Sequence, residues 1–225
     1  DLISYLALQM VKKRCCPPLC KITPEGIRRM VGETSTARFE EHVVHDAELY
    51  RITMPWIKAF ESDPTSFVDH NYDAYVGDKE DPHVVVGKDK LEQIRHEGDT
   101  PINKQRFMFH VNVEPIKKAL MDYIYRMFPK HSVMLSGKFW YPQNGYMGWH
   151  TNSDSPGKRV YLNYSFEDKK SYFRYLDEDG SIKTSWDQKG FTMRVFDIGD
   201  THDRLWHCVY SNTNRLSFGF RVYPN

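Results

Sequence analysis

The chain has 225 residues, with 31 Lys and Arg against 30 Asp and Glu, and 14% of its side chains are aromatic. That length can bury a sizeable core in one elaborated domain, and the near-neutral charge excludes the broad basic footprint of a general nucleic-acid binder. Four cysteines are too few for a disulfide framework and no apolar run reaches membrane-spanning length, so a reducing, cytoplasmic setting without a membrane is expected.

No secretory leader pattern opens the chain, and Asp1 in first place reads as a trimmed or mature fragment. Residues 1–31 read as helical in pieces. Leu2, Ile3, Leu6, Met10 and Val11 form a stripe, Thr23-Pro24 is an N-cap with a first-turn proline, and Gly32 is a stop. Cys15, Cys16 and Cys20 crowd around Pro17-Pro18, upstream of His42 and His45. Their spacing matches no common zinc module, and free thiols in a turn are expected. Phe39, Val43, Ala47 and Tyr50 predict a helix over 34–60, broken or restarted at Pro55. The charged stretch 63–100, punctuated by Pro64, Gly77, Pro82, Gly87 and Gly98, reads as loop with short strands such as 83–86. These segments make an N-terminal helical and loop-rich region, 1–105, expected to pack on a core formed by 106–225.

From there the pattern changes. Alternation predicts a strand over 107–113. Pro115 then opens a helix with the stripe Ile116, Leu120, Tyr123, Ile124 and Met127, and Pro129 follows its end. Strand-like segments come next, at 133–141, 160–166, 172–176, 191–198, 205–210 and 216–223, with turns at Asn144-Gly145, Pro156-Gly157, Asp179-Gly180, Gly199-Asp200 and 212–214. A helix followed by many short strands predicts an α+β, mainly β architecture: a sandwich or jelly roll with helices on one outer face. In the last strand Leu216, Phe218, Phe220 and Val222 point one way and Arg215, Ser217, Gly219 and Arg221 the other; Tyr161, Asn163 and Ser165 likewise share a face. Such a polar face lines an interior cavity or meets solvent, both common in antiparallel sheets.

Of ten histidines, most read as ordinary surface or core residues. His150 and His207 stand apart because of their surroundings. An oxygen-activating iron site needs three protein ligands on one face and open positions opposite. His150-Thr151-Asn152, His207 and Arg215-Leu216-Ser217 make an economical set for that purpose, with the planar guanidinium suited to a carboxylate cosubstrate.

Trp140-Tyr141-Pro142-Gln143-Asn144-Gly145, leading through Gly148-Trp149 to His150-Thr151-Asn152, resembles the approach to the first metal ligand in prolyl hydroxylase-like 2-oxoglutarate/Fe(II) oxygenases. Val160-Tyr161-Leu162-Asn163 resembles the strand that follows. Trp206-His207-Cys208-Val209 through Arg215-Leu216-Ser217-Phe218 resembles the distal-histidine and R-x-S strand. The resemblance covers 132–223. It implies a double-stranded β-helix (jelly roll) core, with Fe(II), 2-oxoglutarate and O2 as cofactor and cosubstrates. It implies His150, Asn152 and His207 as metal ligands and Arg215 with Ser217 on the distal carboxylate of 2-oxoglutarate. Tyr141 and Tyr161 match cosubstrate contacts, and Asn163 shares a face with Tyr161. The implied reaction hydroxylates a C–H bond of a small molecule or amino-acid side chain and releases succinate and CO2. Trp149 and Trp206 are expected as wall or core.

One residue departs from the pattern: the family usually has Asp or Glu where Asn152 stands. A neutral amide holds a divalent cation with less Coulombic attraction than a carboxylate. Three readings of Asn152 stay open: a weak natural ligand, a substitution made to trap substrate, or the mark of an inactive module that binds 2-oxoglutarate or a peptide. Asp154 is a further candidate for the third position if the segment leaves the strand as a loop. A nucleobase substrate is another alternative, with phosphate contacts from Lys12-Lys13-Arg14, Arg28-Arg29 and Lys169-Lys170, although such charges are more often a solvated face.

Overall fold

The strands run in chain order as β1 (Phe39–Val43), β2 (Tyr75–Val76), β3 (Arg106–His110), β4 (His131–Tyr141), β5 (Gly145–His150), β6 (Gly157–Ser165), β7 (Ser171–Leu176), β8 (Ile182–Trp186), β9 (Gly190–Ile198), β10 (His207–Ser211) and β11 (Arg215–Pro224). The helices are α1 (Ala47–Ser62), α2 (Pro82–Val85), α3 (Lys88–Glu97) and α4 (Glu114–Met127), with a 3-10 turn at Pro64–Phe67. This computed structural model describes residues 38–72, 75–76, 81–97, 105–152, 155–199 and 205–225. The expectations for 1–31, the cysteine cluster and the basic groups Lys12-Lys13-Arg14 and Arg28-Arg29 lie outside the described residues.

One sheet has the order β1-β9-β6-β11-β4 and the facing one β5-β10-β7-β8; β3 pairs with both β4 and β5 and joins them. Every named strand pair is antiparallel. From β4 to β11 the chain crosses between the sheets at each step except the β7–β8 hairpin, which is the winding of a double-stranded β-helix.

Alternation then divides the side chains. Leu216, Phe218, Phe220 and Val222 of β11, with Phe191, Met193 and Val195 of β9, form one cluster with α1 and α4. The α4 stripe Ile116, Leu120, Tyr123, Ile124 and Met127 is buried in it. Fully burying an apolar side chain of this size is worth roughly 1.5–3 kcal/mol. The opposite face of β11, with Ser217, Gly219 and Arg221, turns into the space between the sheets, not to solvent. A second, smaller layer covers the β5–β10–β7 sheet: Val85, Val86, Leu91 and Ile94 of the α2–α3 segment pack on Tyr146, Trp149, Tyr172, Trp206, Cys208 and Tyr210. Trp149 and Trp206 are thus core residues of that outer layer.

Within the described residues, the helix predicted over 34–60 opens with a strand. Phe39–Val43 pairs with β9 along its whole length, and only Ala47–Ser62 is helical. A spacing of four fits a helix stripe and equally one face of a strand, so Phe39 and Val43 could not decide between them. Asp46 caps α1, accepting from the Leu49 amide at 2.7 Å. Pro55 lies inside α1 without breaking it; Arg51 and Pro55 are both exposed, so the carbonyl that Pro55 leaves without a donor lies on the wet side of the helix. Of residues 83–86, predicted as strand, the first three belong to the short helix α2 and Val86 caps its end; the helix is started by the Asp81 side chain accepting from the His83 amide, with Pro82 in its first turn. The stretch 63–100 also contains α3. No helix among the described residues is long and apolar enough to cross a membrane.

Candidate active site

β5 and β10 bring the two histidines together. In their pairing His207 faces His150 and Val209 faces Met147, so three residues of β5 span what two of β10 span. This bulge at Gly148-Trp149 shifts the parity of β5. Met147 and His150 therefore both face the cavity, although an odd spacing would put them on opposite faces. Trp149 turns outward, donating Nε1–H to the Gly87 carbonyl at 2.9 Å. The bulge needs glycine: a Cβ on Gly148 would lie 2.8 Å from Val85 Cγ1 and 2.9 Å from Gln105 Cβ.

The ring centroids of His150 and His207 are 4.1 Å apart. Nδ1 of His150 lies 2.8 Å from the Gly148 carbonyl, and Nδ1 of His207 lies 2.9 Å from the Leu205 carbonyl. A carbonyl can only accept, so each Nδ1 carries the proton and each Nε2 keeps a bare lone pair, the tautomer a metal ligand requires. Burial holds both rings neutral: the pKa of His150 falls to about 4, and that of His207 falls well below its usual value, with the His150 charge adding to the effect. Asn152, in the left-handed region at φ 54°, puts Nδ2 3.2 Å from His207 Nε2 and 3.5 Å from the Tyr161 hydroxyl. The amide thus donates into one of the lone pairs that a metal would use. Among the described residues no group of three or more His, Cys, Asp or Glu side chains is arranged to hold a metal; Asp154 lies outside them.

A cavity of about 160 Å³ opens from this face. Its lining includes Tyr141, Tyr161, Ser217 and Gly219 together with Arg106, Arg159 and Arg221, and holds no carboxylate among the described residues. Phe173 stacks on His207 with centroids 5.2 Å apart, and Phe196 lies 5.8 Å away, so the histidine sits against an apolar wall. Burial pushes the Tyr141 and Tyr161 phenols up, which keeps them protonated donors. Ser217 Oγ donates to Asn163 Oδ1 at 2.8 Å across the β11–β6 pair, and the neighbouring Thr192 Oγ1 is buried without a partner among the described residues.

Arg215 does not line that cavity. It is fully buried, its guanidinium carbon lies 5.3 Å from the Tyr141 ring centre, and its Nε donates to Asp187 Oδ2 at 2.7 Å. Both terminal nitrogens are buried without a hydrogen-bond partner among the described residues. A buried guanidinium with two idle donors fits a carboxylate, for which its planar fork is shaped. The fit to a divalent metal is good at the two imidazoles and weaker at Asn152, which is neutral and turns its nitrogen toward His207.

Sequence reasoning missed Asp187, Arg194 and Thr192. Asp187 follows β8, a strand the sequence did not reveal, and no motif marks it. Arg159 could have been found by parity, since it shares a face with Tyr161, just as parity puts Arg221 on the face of Ser217 and Gly219. Of the residues weighed for a zinc site, His42 lies 3.3 Å from Glu40; the fourth cysteine, Cys208, is free and buried.

Two wound antiparallel sheets, carrying paired histidines at the end of β5 and the start of β10, have the double-stranded β-helix fold of solved prolyl hydroxylases. In particular, the structure is similar to a prolyl-4-hydroxylase from Pseudomonas putida, with a TM-score of 0.52 and 12% identity, covering 88% of this chain and 99% of that one. It is similar as well to a prolyl hydroxylase from Trichoplax adhaerens, solved with a peptide fragment of the hypoxia inducible factor oxygen degradation domain; the TM-score is 0.53 and the identity 12%, over 89% of this chain and 90% of that one. No family model matches the sequence, and no curated protein matches it. At this identity the likeness is one of fold.

Proposed function

We propose that the protein is a non-haem iron, 2-oxoglutarate-dependent oxygenase that hydroxylates a C–H bond of a small molecule or an amino-acid side chain. Bound together, Fe(II), 2-oxoglutarate and O2 supply the oxidising chemistry, which ends in succinate, CO2 and a hydroxylated substrate. In this reading His150 and His207 present bare Nε2 atoms to the metal, and Asn152 turns its amide oxygen toward it as a neutral third ligand. Arg215 binds the distal carboxylate of 2-oxoglutarate, and the protonated hydroxyls of Tyr141 and Tyr161 donate to the cosubstrate. Ser217 and Asn163 complete the polar layer, while Phe173 and Phe196 exclude water. The arginines of the lining favour an anion at this site. One structural neighbour was solved with a peptide, which makes an amino-acid side chain within a peptide the first substrate class to test.

The observation that carries this reading is the buried Arg215 fork with both terminal nitrogens idle. Calorimetry of 2-oxoglutarate binding tests it: Arg215→Ala is expected to lose about 3–5 kcal/mol, the usual cost of breaking a buried charged pair. Unchanged affinity would remove the assignment. A second reading, a module that binds 2-oxoglutarate or a peptide without turnover, is favoured by the Asn152–His207 contact, which opposes metal binding. Iron content and succinate release after anaerobic Fe(II) loading separate the two.

A further inference from the structure

Arg215 belongs to a buried charged cluster whose other members the proposed reaction leaves unused. Asp187, fully buried, follows β8 and is pinned by its backbone: its amide donates to the Ser171 carbonyl, and its carbonyl accepts from the Lys169 amide, both at 2.9 Å. Its carboxylate bridges two fully buried guanidiniums. Oδ1 accepts from an Arg194 terminal nitrogen at 2.6 Å, and Oδ2 accepts from Arg215 Nε at 2.7 Å and from Ser171 Oγ at 2.6 Å. Arg194 is held further by Ser185, through Oγ at 2.6 Å and the carbonyl at 3.0 Å, and pairs with Glu41 at 3.3 Å.

The two arginines therefore differ. Every nitrogen of Arg194 is engaged, whereas among the described residues Arg215 has only Nε engaged and keeps its terminal pair idle. We propose that Asp187 is a positioning residue of the 2-oxoglutarate site: it clamps Arg215 by Nε so that the terminal fork is left, fixed in direction, for the distal carboxylate. Both Asp187 oxygens are already occupied, so the carboxylate cannot swing round to quench that fork. The arrangement orients the guanidinium without using the edge that binds ligand, which lowers the ordering cost of binding. Burial opposes charge on Asp187, but the Arg194 and Arg215 guanidiniums outweigh it and hold the carboxyl ionised.

This role rests on the proposed function, and the test separates the two. In the Mn(II)-loaded protein, 2-oxoglutarate and 2-oxopentanoate, the five-carbon keto acid without the distal carboxylate, are titrated calorimetrically. Asn at position 187 offers one acceptor and one donor group in place of two acceptors, so a guanidinium loses its partner. Asp187→Asn is expected to reduce the preference for 2-oxoglutarate over 2-oxopentanoate by about tenfold or more, the scale of a charged hydrogen bond. The affinity for 2-oxopentanoate itself should stay unchanged, which a merely structural role would not predict. Ser171→Ala, a small change at the same carboxylate oxygen, should reduce the preference by about threefold, the low end of what one hydrogen bond is worth because Ser171 acts only through Asp187, and it decides the matter if Asp187→Asn does not fold. An unchanged or increased preference in the variants overturns the role of Asp187. A wild type with no preference, matched by Arg215→Ala, overturns the proposed function and this role with it.

Discussion

Asn152 is the residue on which the chemistry of this site turns, because its nitrogen donates to His207 Nε2 at 3.2 Å. An aspartate there cannot donate. Asn152→Asp would therefore remove a competitor for the lone pair and add an anion facing the cation in a low-dielectric pocket. Fe(II) or Mn(II) affinity is expected to rise by an order of magnitude or more, on the scale of a charge-assisted contact, at little cost in packing because the two side chains are nearly isosteric. Metal titration followed by calorimetry checks it, and affinity that stays flat or weakens would mean that this side chain does not face the metal. At this scale the sequence was informative where spacing encodes parity. The histidines, Asn152, Arg215 and Ser217 stood out by their order along the chain, and the structure brings His150, Asn152 and His207 to one face. What stayed hidden was whatever depends on a distant partner. Nothing local to Asp187 or Arg194 announces that they bury a shared charge, and nothing in an H-x-N triplet says which way the amide points.

At the scale of elements, β5 is the instructive case. Gly145–His150 shows no clean alternation, so it reads as a connection to the first histidine. The bulge that hides the strand is also what aims His150 inward. The strands β4, β6, β7, β9, β10 and β11 keep regular alternation or a dense aromatic pattern and were legible. β8, half-exposed and polar, was not, and β1 was masked by the period ambiguity of Phe39 and Val43. The β5 bulge also makes a prediction at its own scale. Because a Cβ on Gly148 would crowd Val85 Cγ1, a fully buried and rigid neighbour, Gly148→Ala must displace either α2 or the bulge. The expected cost is about 1–3 kcal/mol in urea unfolding, as for other overpacked sites. Metal affinity should weaken as well, although the added methyl points away from the cavity. A variant that lost stability but bound metal as before would show that the aim of His150 does not depend on the bulge.

For the whole molecule, the buried titratable groups predict how stability follows pH, and two windows separate. Asp187 is held below its ordinary value of 3.8 by Arg194 and Arg215, so the stability it contributes is fully present above that pH and is lost only below it. The histidines act earlier. His150 has a native pKa of about 4 against 6.5 in an unfolded chain, and His207 is shifted the same way. Between those values the unfolded chain binds protons that the native state refuses, so stability falls as pH falls, starting at 6.5. Each such group contributes a slope of about 1.4 kcal/mol per pH unit, so acidification from pH 6.5 to 5 should cost about 2 kcal/mol for His150, and His207 adds to the loss in the same direction. Urea unfolding midpoints, measured with chelator present so that no metal competes with protons, should drop across this range in the wild type. In a His150→Gln, His207→Gln double variant the drop should largely disappear. A double variant that loses stability as steeply as the wild type would place the acid sensitivity elsewhere, with His110, whose pKa burial also lowers, the next group to replace.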